Sequence, residues 1–103
     1  MRAFRNPDVL WREEDESKAQ AYEELEKGED VEAIGTSVLF SDGVMLSLNL
    51  IATEIWKLCD GRDVNEIIAD LTGRFEVDPD VLSKDATTFL SELKQKGFIY
   101  YED

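Results

Sequence analysis

The residues of this sequence that could do chemistry are carboxylates and a single thiol. The 103-residue chain contains 24 Asp and Glu residues, one cysteine and no histidine. Histidine is the commonest general base and metal ligand in proteins, and one thiolate cannot complete a zinc or iron–sulfur site. Acidic runs such as residues 13–16 are more typical of a solvated face than of a catalytic pair, because their charges repel. We therefore expect no catalytic site, no metal site and no bound cofactor.

The single thiol, Cys59, has a structural explanation. It falls on the apolar face of a predicted helix, together with Ile55 and Leu58, where a cysteine usually behaves as a small buried hydrophobe. One cysteine also excludes an internal disulfide, which fits a reducing compartment. The N-terminal residues lack the apolar stretch of a signal peptide, and no run of 18 apolar residues could span a bilayer. We expect a cytoplasmic protein without a membrane segment.

The formal net charge of −13 argues against a nucleic-acid partner. Phosphate binding needs clustered Lys and Arg side chains that release counterions. Residues 1–32 alone carry eleven acids and five bases, so this part of the chain should be strongly solvated. We expect a protein or peptide partner.

The elements that must position any binding residues divide the chain near Gly35, into an acidic N-terminal segment, 1–35, and a domain, 36–103. In the first segment, residues 8–12 predict a short strand. Residues 15–27 predict a weakly amphipathic helix with Ala19 and Tyr22 on its apolar face, stopped by Gly28. This helix could pack on the domain or dock a partner.

From residue 36 onward the patterns predict a β-hairpin and three helices. Asp42-Gly43 suits a two-residue turn between strands 37–41 and 44–48. Asn49, Asp63 and Asp78 are expected to cap helices over about 50–60, 64–75 and 79–96, with Gly61 closing the first. A final apolar run, 98–101, predicts a short strand. The expected fold is α+β: three N-terminal antiparallel strands, including the hairpin, followed by three α-helices, as in a winged helix-turn-helix domain.

DNA binding is nevertheless disfavoured, because the third helix would be the reading helix. Residues 78–97 carry four acids against three lysines and have no arginine, although Arg makes the commonest guanine contact.

A combination of motifs resembles the PqqD family, whose members are also called RiPP recognition elements. The motifs are Leu48-Asn49, Trp56, Cys59-Asp60-Gly61, Ile67 and the closing run 89–99. The joint spacing covers about 37–99 and is specific, whereas each piece alone is weak. The long acidic insert, 14–35, departs from the basic family pattern. It resembles the subgroup found beside radical SAM/SPASM maturases, the GeoRSP systems.

The resemblance implies a non-catalytic adaptor that binds the leader of a ribosomally made precursor peptide and presents it to a radical SAM maturase. In the family the leader is added as a strand beside the last hairpin strand and lies against the third helix. The residues expected to contact it are therefore Val44, Met45, Leu46, Ser47, Leu48, Asp85, Thr88, Phe89, Glu92 and Lys96. Iron–sulfur clusters would belong to the maturase, and the acidic insert could be the surface that docks it.

Two alternatives stay open at this point. The protein could instead be a structural or regulatory winged-helix module that binds only protein, for example as a dimer through its unpaired hairpin edge. Phe89 could equally be a core residue, and Asp85 and Glu92 could be ordinary solvated acids. If these two acids bind the leader, it should carry Lys or Arg beside an apolar anchor.

Overall fold

The computed structural model describes residues 1–102. Its strands are β1 (Arg2–Arg5), β2 (Leu10–Glu13), β3 (Ser37–Ser41), β4 (Val44–Leu48), β5 (Asp60–Asp63) and β6 (Ile99–Glu102); its helices are α1 (Asp15–Glu26), α2 (Leu50–Leu58), α3 (Val64–Arg74) and α4 (Pro79–Gln95). The α+β class is confirmed. The described residues contain four helices, because the predicted N-terminal helix adds to the three that follow the hairpin.

The chain forms two compact units, and residues 7–53 make up one of them. Its sheet has three antiparallel strands, as expected from the sequence, and their order is β2-β3-β4. The β3–β4 turn is formed by Asp42 and Gly43, whose φ angles of 51° and 78° lie in the left-handed region. This geometry matches the right-handed twist of the flanking strands, which explains the choice of Asp-Gly.

Burial separates the two faces of β3 and β4 by the alternation of their side chains. Leu39 and Leu48 are buried, whereas Phe40 and Met45 are exposed. The helix α1 is placed as predicted, but its inner face is different: Ala21 is buried and Ala19 is exposed. The prediction for Ala19 was wrong because the weak apolar periodicity of this acidic helix did not define one face.

A cluster of buried hydroxyl groups links the start of β3 to α2 within this unit. The Thr53 hydroxyl lies 2.8 Å from the Thr36 hydroxyl and 2.7 Å from the Ser37 hydroxyl. All three side chains are buried, so each hydroxyl needs a partner inside the protein. The Leu48 carbonyl accepts a hydrogen bond from the Thr36 amide at 2.8 Å, and Asn49 Oδ1 accepts one from the Ala52 amide at the start of α2.

The second unit combines residues 1–6 with the chain from Glu54 onward. Its three-stranded sheet has the order β5-β1-β6, and both pairings are antiparallel. The final strand was predicted, but β1 and β5 were missed. Neither has a strand signal of its own: β1 reads Arg-Ala-Phe-Arg and β5 reads Asp-Gly-Arg-Asp.

Gly61 lies in β5 and does not close the preceding helix, which ends at Leu58. Its φ is 106°, a conformation that residues with a side chain rarely adopt, and a Cβ atom at this residue would lie 3.0 Å from the Phe4 ring, closer than an ordinary contact. Phe4 in turn stacks on Tyr100 of β6, with ring centroids 5.3 Å apart. The glycine therefore serves the approach of β1 and β5.

Helices α3 and α4 begin where the sequence predicted. Asp63 Oδ1 accepts a hydrogen bond from the Asn65 amide at 2.9 Å, and Asp78 Oδ1 accepts one from the Asp80 amide at the same distance. Pro79 opens α4. The helices pack on each other, and α4 packs on β6. Their buried side chains are Ile67, Leu71, Leu82, Ala86, Leu90 and Leu93.

One carboxylate of α2, that of Glu54, is buried. It lies 3.3 Å from the Arg74 guanidinium at the end of α3 and 3.6 Å from the Lys57 ammonium one turn further along its own helix. Two cations therefore compensate the buried charge, as burial of a carboxylate requires. Within the described part of the chain, no helix is long and apolar enough to cross a membrane.

The hydroxyl cluster predicts a stability difference between two Thr→Val variants. Thr53→Val keeps the side-chain shape but leaves the Thr36 and Ser37 hydroxyls buried with one partner fewer, so we expect a loss of about 1–3 kcal/mol in urea unfolding followed by circular dichroism. The control is Thr72→Val, which removes a hydroxyl that donates 2.8 Å to the Ile68 carbonyl of its own helix and should change stability by less than about 0.5 kcal/mol. Equal losses would contradict the role of the cluster.

Candidate functional site

Strand β4 is at the edge of its sheet, with β3 as its neighbour. Edge strands present a row of main-chain N–H and C=O groups to which an extended peptide can pair. The sequence-predicted residues Val44 to Leu48 all lie on this strand.

The register determines which main-chain groups of β4 face outward. Ser41 pairs with Val44 across the two-residue turn, and Leu39 pairs with Leu46. In an antiparallel ladder the hydrogen-bonded pairs alternate with non-hydrogen-bonded ones, and the pair that closes a two-residue turn is hydrogen-bonded. The N–H and C=O groups of Val44 and Leu46 therefore point to β3, and those of Met45 and Ser47 point to the free edge.

The side chains of β4 differ in what they could offer to a peptide. Val44, Met45 and Ser47 are exposed, and Leu46 is half-buried. Leu48 is 2% exposed and belongs to the core. Its carbonyl already accepts the Thr36 amide, so neither part of Leu48 is presented at the edge as Met45 and Ser47 are.

The other predicted residues lie on α4 or at its end. Asp85, Thr88 and Glu92 are exposed, and Phe89 is half-buried, so it contributes both to the interior and to the surface. Lys96 is exposed and forms the C-cap of the helix. With a rise of 1.5 Å per residue, the two acids are about 10 Å apart along the helix axis.

Sequence reasoning missed one member of this surface, Val81. It lies four residues before Asp85, on the same helical face, and is 57% exposed. An exposed valine one turn from the first acid adds an apolar position to a row that is otherwise polar. The signal was present in the spacing 81, 85, 88, 92, which places all four residues on one side of the helix.

The environment of the Cys59 thiol differs from that of a reactive cysteine. Burial raises the pKa of the Cys59 thiol to about 12, and its Sγ donates to the Ile55 carbonyl at 3.3 Å. A protonated, buried thiol is a poor nucleophile. Residues 1–102 hold no cluster of three His, Cys, Asp or Glu side chains that could bind a metal ion.

Comparison with known protein families identifies the group to which these features belong. Residues 36–99 match the family model described as coenzyme PQQ synthesis protein D, PqqD. This chain belongs to the PqqD family. The match begins at the first buried hydroxyl of the hairpin and ends at the start of β6, so it contains β4 and the whole of α4.

Among curated proteins, this PqqD-family chain is 38% identical over 63 residues to a PqqA binding protein of Rhodopseudomonas palustris strain TIE-1. The alignment covers 60% of the chain and spans 62% of the length of that relative.

Solved structures show the same fold. TbiB1 in complex with the TbiA(beta) leader peptide has a TM-score of 0.67 at 21% identity, covering 97% of this chain and 99% of that one. The solution NMR structure of the PqqD truncation of Methylobacterium extorquens PqqCD, described as a stand-alone RiPP recognition element, has a TM-score of 0.65 at 21% identity and covers 96% and 88%. Because both alignments reach beyond residues 36–99, the fold shared with these structures extends beyond the part of the PqqD-family chain that matches the family model.

The buried thiol predicts a specific pH dependence of stability. Its pKa is higher in the folded state than the ordinary value of 9.0, so the folded state binds this proton more tightly. The stabilisation is complete below pH 9 and is lost as the pH rises toward 12, at up to about 1.4 kcal/mol per pH unit. Urea unfolding between pH 8 and 11 should show a steeper decline for the native chain than for Cys59→Ala.

The variant controls for other groups that titrate in the same range. Tyr101, whose pKa is raised by burial and further by the charge of Cys59, is retained in Cys59→Ala. The part of its contribution that comes from burial is therefore common to both chains, and the part that comes from Cys59 belongs to the thiol under test. Parallel declines in the two chains would show that Cys59 titrates in the folded state as an ordinary thiol does.

Proposed function

We propose that this PqqD-family chain is a non-catalytic adaptor that binds the leader of a ribosomally made precursor peptide and presents it to a radical SAM/SPASM maturase. The observation that carries the proposal is an edge strand, β4, with the main-chain groups of Met45 and Ser47 directed outward, in a chain of this family. Two of the similar proteins are named for binding PqqA or for a complex with a leader peptide.

The energetics of strand addition are compatible with a working affinity. Four main-chain hydrogen bonds at Met45 and Ser47 contribute about 1 kcal/mol each, and two buried apolar anchors contribute about 2 kcal/mol each. The sum of about 8 kcal/mol corresponds to a micromolar dissociation constant, before the cost of ordering the peptide is subtracted. Main-chain pairing alone does not select a sequence, so side chains must provide specificity.

The exposed row on α4 is the second surface that we propose for the leader. Asp85 and Glu92 offer two negative charges with Thr88 and the half-buried Phe89 between them, and Val81 adds an apolar position. A leader with Lys or Arg near an apolar side chain complements this row. Phe89 and Val81 would contact its apolar anchor.

The proposal also names the type of partner enzyme, the type of fold and the location of the protein. We infer a radical SAM/SPASM partner of the GeoRSP type from the acidic insert, in which Glu16, Glu23 and Glu26 of α1 are exposed and would meet a basic patch. Iron–sulfur clusters would be held by that enzyme. We also propose a winged helix-turn-helix type of fold, with α4 as the former reading helix, and a cytoplasmic location.

A homodimer is a second candidate, because the edge of β4 would also accept the β4 strand of another copy. Sedimentation equilibrium of the chain alone separates the two: an adaptor with a vacant edge sediments as a monomer at micromolar concentration.

Peptide binding at β4 is tested by removing one outward donor. Ser47→Pro deletes the outward-facing N–H, which an edge strand tolerates because that group makes no bond to β3. We expect the affinity for the synthetic leader of the precursor encoded beside this gene to fall about five- to ten-fold, as the loss of one hydrogen bond predicts. Isothermal titration calorimetry measures it.

Ser47→Ala is the matched control, since it removes the hydroxyl and keeps the N–H. It should bind like the native chain. The strand-addition site is wrong if both variants bind equally well and if titration with the peptide leaves the backbone amide shifts of Met45 and Ser47 unchanged.

The acidic row on α4 is tested by charge reversal. Asp85→Lys combined with Glu92→Lys should weaken a leader that carries Lys or Arg by about ten-fold, or ~1.4 kcal/mol, because two attractions become repulsions. Glu66→Lys combined with Glu76→Lys is the control: both acids are exposed, lie off α4 and give the same change in net charge. Equal weakening by both pairs would assign the effect to net charge and not to the row.

A further inference from the structure

The outer face of the β2-β3-β4 sheet carries a row of exposed apolar side chains. Leu10 pairs with Phe40, and Phe40 pairs with Met45, so the three lie side by side across all three strands. Their exposed fractions are 70%, 47% and 71%. Directly opposed side chains on one face of a sheet are neighbours at about 4.5–5.5 Å, so the row is continuous up to the free edge.

On the side away from the β3–β4 turn, the row of Leu10, Phe40 and Met45 is only one residue wide. The next line of cross-strand partners is Arg12, Val38 and Ser47, which is polar at both ends. Arg12 forms an ion pair with Glu14 at 2.8 Å. A folded partner protein would need a much broader surface, of the order of 1,000 Å² or more in total. A single added side chain fits this narrow row.

The direction of the Met45 main chain determines where the side chain of an added peptide would lie. The N–H and C=O groups of Met45 face the free edge, so a peptide strand added to β4 is hydrogen-bonded at this position. The peptide residue directly opposite Met45 points its side chain to the same face as Met45, because side chains of paired strands share the pleat. It becomes the fourth member of the row that begins at Leu10.

We propose that Met45 is a specificity-determining residue, and that the peptide bound at β4 carries a large apolar or aromatic side chain at the position opposite it. Aromatic and aliphatic cross-strand pairs are favoured over polar ones. The ligand class is thus an extended peptide read on the outer face of the sheet, in addition to the basic residues proposed for α4. This inference rests on the proposed strand addition.

The experiment uses peptides selected for binding to the full chain. A yeast-displayed library of random twelve-residue peptides is enriched on the native protein, and a binder that shifts the backbone amides of Met45 and Ser47 is synthesised. Each of its positions is then varied among Phe, Ser, Glu and Lys, and dissociation constants are measured by fluorescence anisotropy. We expect one position at which Phe is favoured over Ser by about two- to five-fold.

The decisive variant is Met45→Lys, which should change the preference at that one position from Phe to Glu. The matched control is Leu10→Lys, which also places a lysine in the row at nearly the same exposure, but on β2, at the opposite edge of the sheet from β4. Leu10→Lys should leave the preference for Phe in place. A structural effect of the new lysine on the sheet would lower all affinities without changing which residue is preferred.

Each other outcome overturns one defined part of the proposal. A binder that shifts the Met45 and Ser47 amides could still prefer the same residue at every position with the native and the Met45→Lys chains. This result would refute the role of Met45 and leave strand addition intact. A change of preference with Leu10→Lys as well would assign it to overall charge. If the library gives no binder that shifts these amides, strand addition itself is refuted. A dimer that Met45→Lys dissociates would assign the row to a second copy of the chain.

Discussion

The register of the β3–β4 hairpin is the constraint on which the unit of residues 7–53 and the proposed peptide site depend. A two-residue turn with both central φ angles positive, at Asp42 and Gly43, permits one pairing of the two strands. That pairing directs the main chain of Met45 outward and holds the Leu48 carbonyl against Thr36. A slip of one residue would exchange the two faces of β4, placing the core leucine in solvent.

The proposed peptide binding at the hairpin needs no catalytic group. Binding an extended peptide needs unpaired main-chain groups and a few side chains, and neither requires a perturbed pKa or a metal. Burial raises the pKa of the Cys59 thiol, so this thiol stays protonated and unreactive. The buried charge of Glu54 is matched by Arg74 and Lys57, so it is a structural group with satisfied partners.

The exposed charges of α4 bear on the kind of ligand that is proposed for it. A helix is suited to nucleic acid when its exposed face is basic, but α4 exposes Asp85 and Glu92. A polyanion would be repelled there, whereas a peptide with cationic side chains is attracted. Family membership and charge are independent observations, and both support the class of ligand that we propose.

Short-range signals in the sequence were sufficient to predict the hairpin, its Asp42-Gly43 turn and the helix caps at Asn49, Asp63 and Asp78. Each depends on residues a few positions apart, so a local pattern contains the whole interaction. The resemblance to the PqqD family, and not a local pattern, pointed to the strand that contains Met45 and Ser47 as an edge and to the face of α4 that bears the two acids. Only the tertiary structure decided which segments with no local preference become strands and which side chains end in the core. Strand β1 exists because residues 2–5 pair with β5 and β6, roughly 60 and 100 positions away in the chain. Its four residues show no alternation of apolar and polar side chains from which a strand could be predicted. The exposed row from Leu10 through Phe40 to Met45 combines both kinds of pairing. Phe40 and Met45 pair across the local hairpin turn, whereas Leu10 joins them only because β2 aligns with β3, a distant pairing that no local sequence pattern contains.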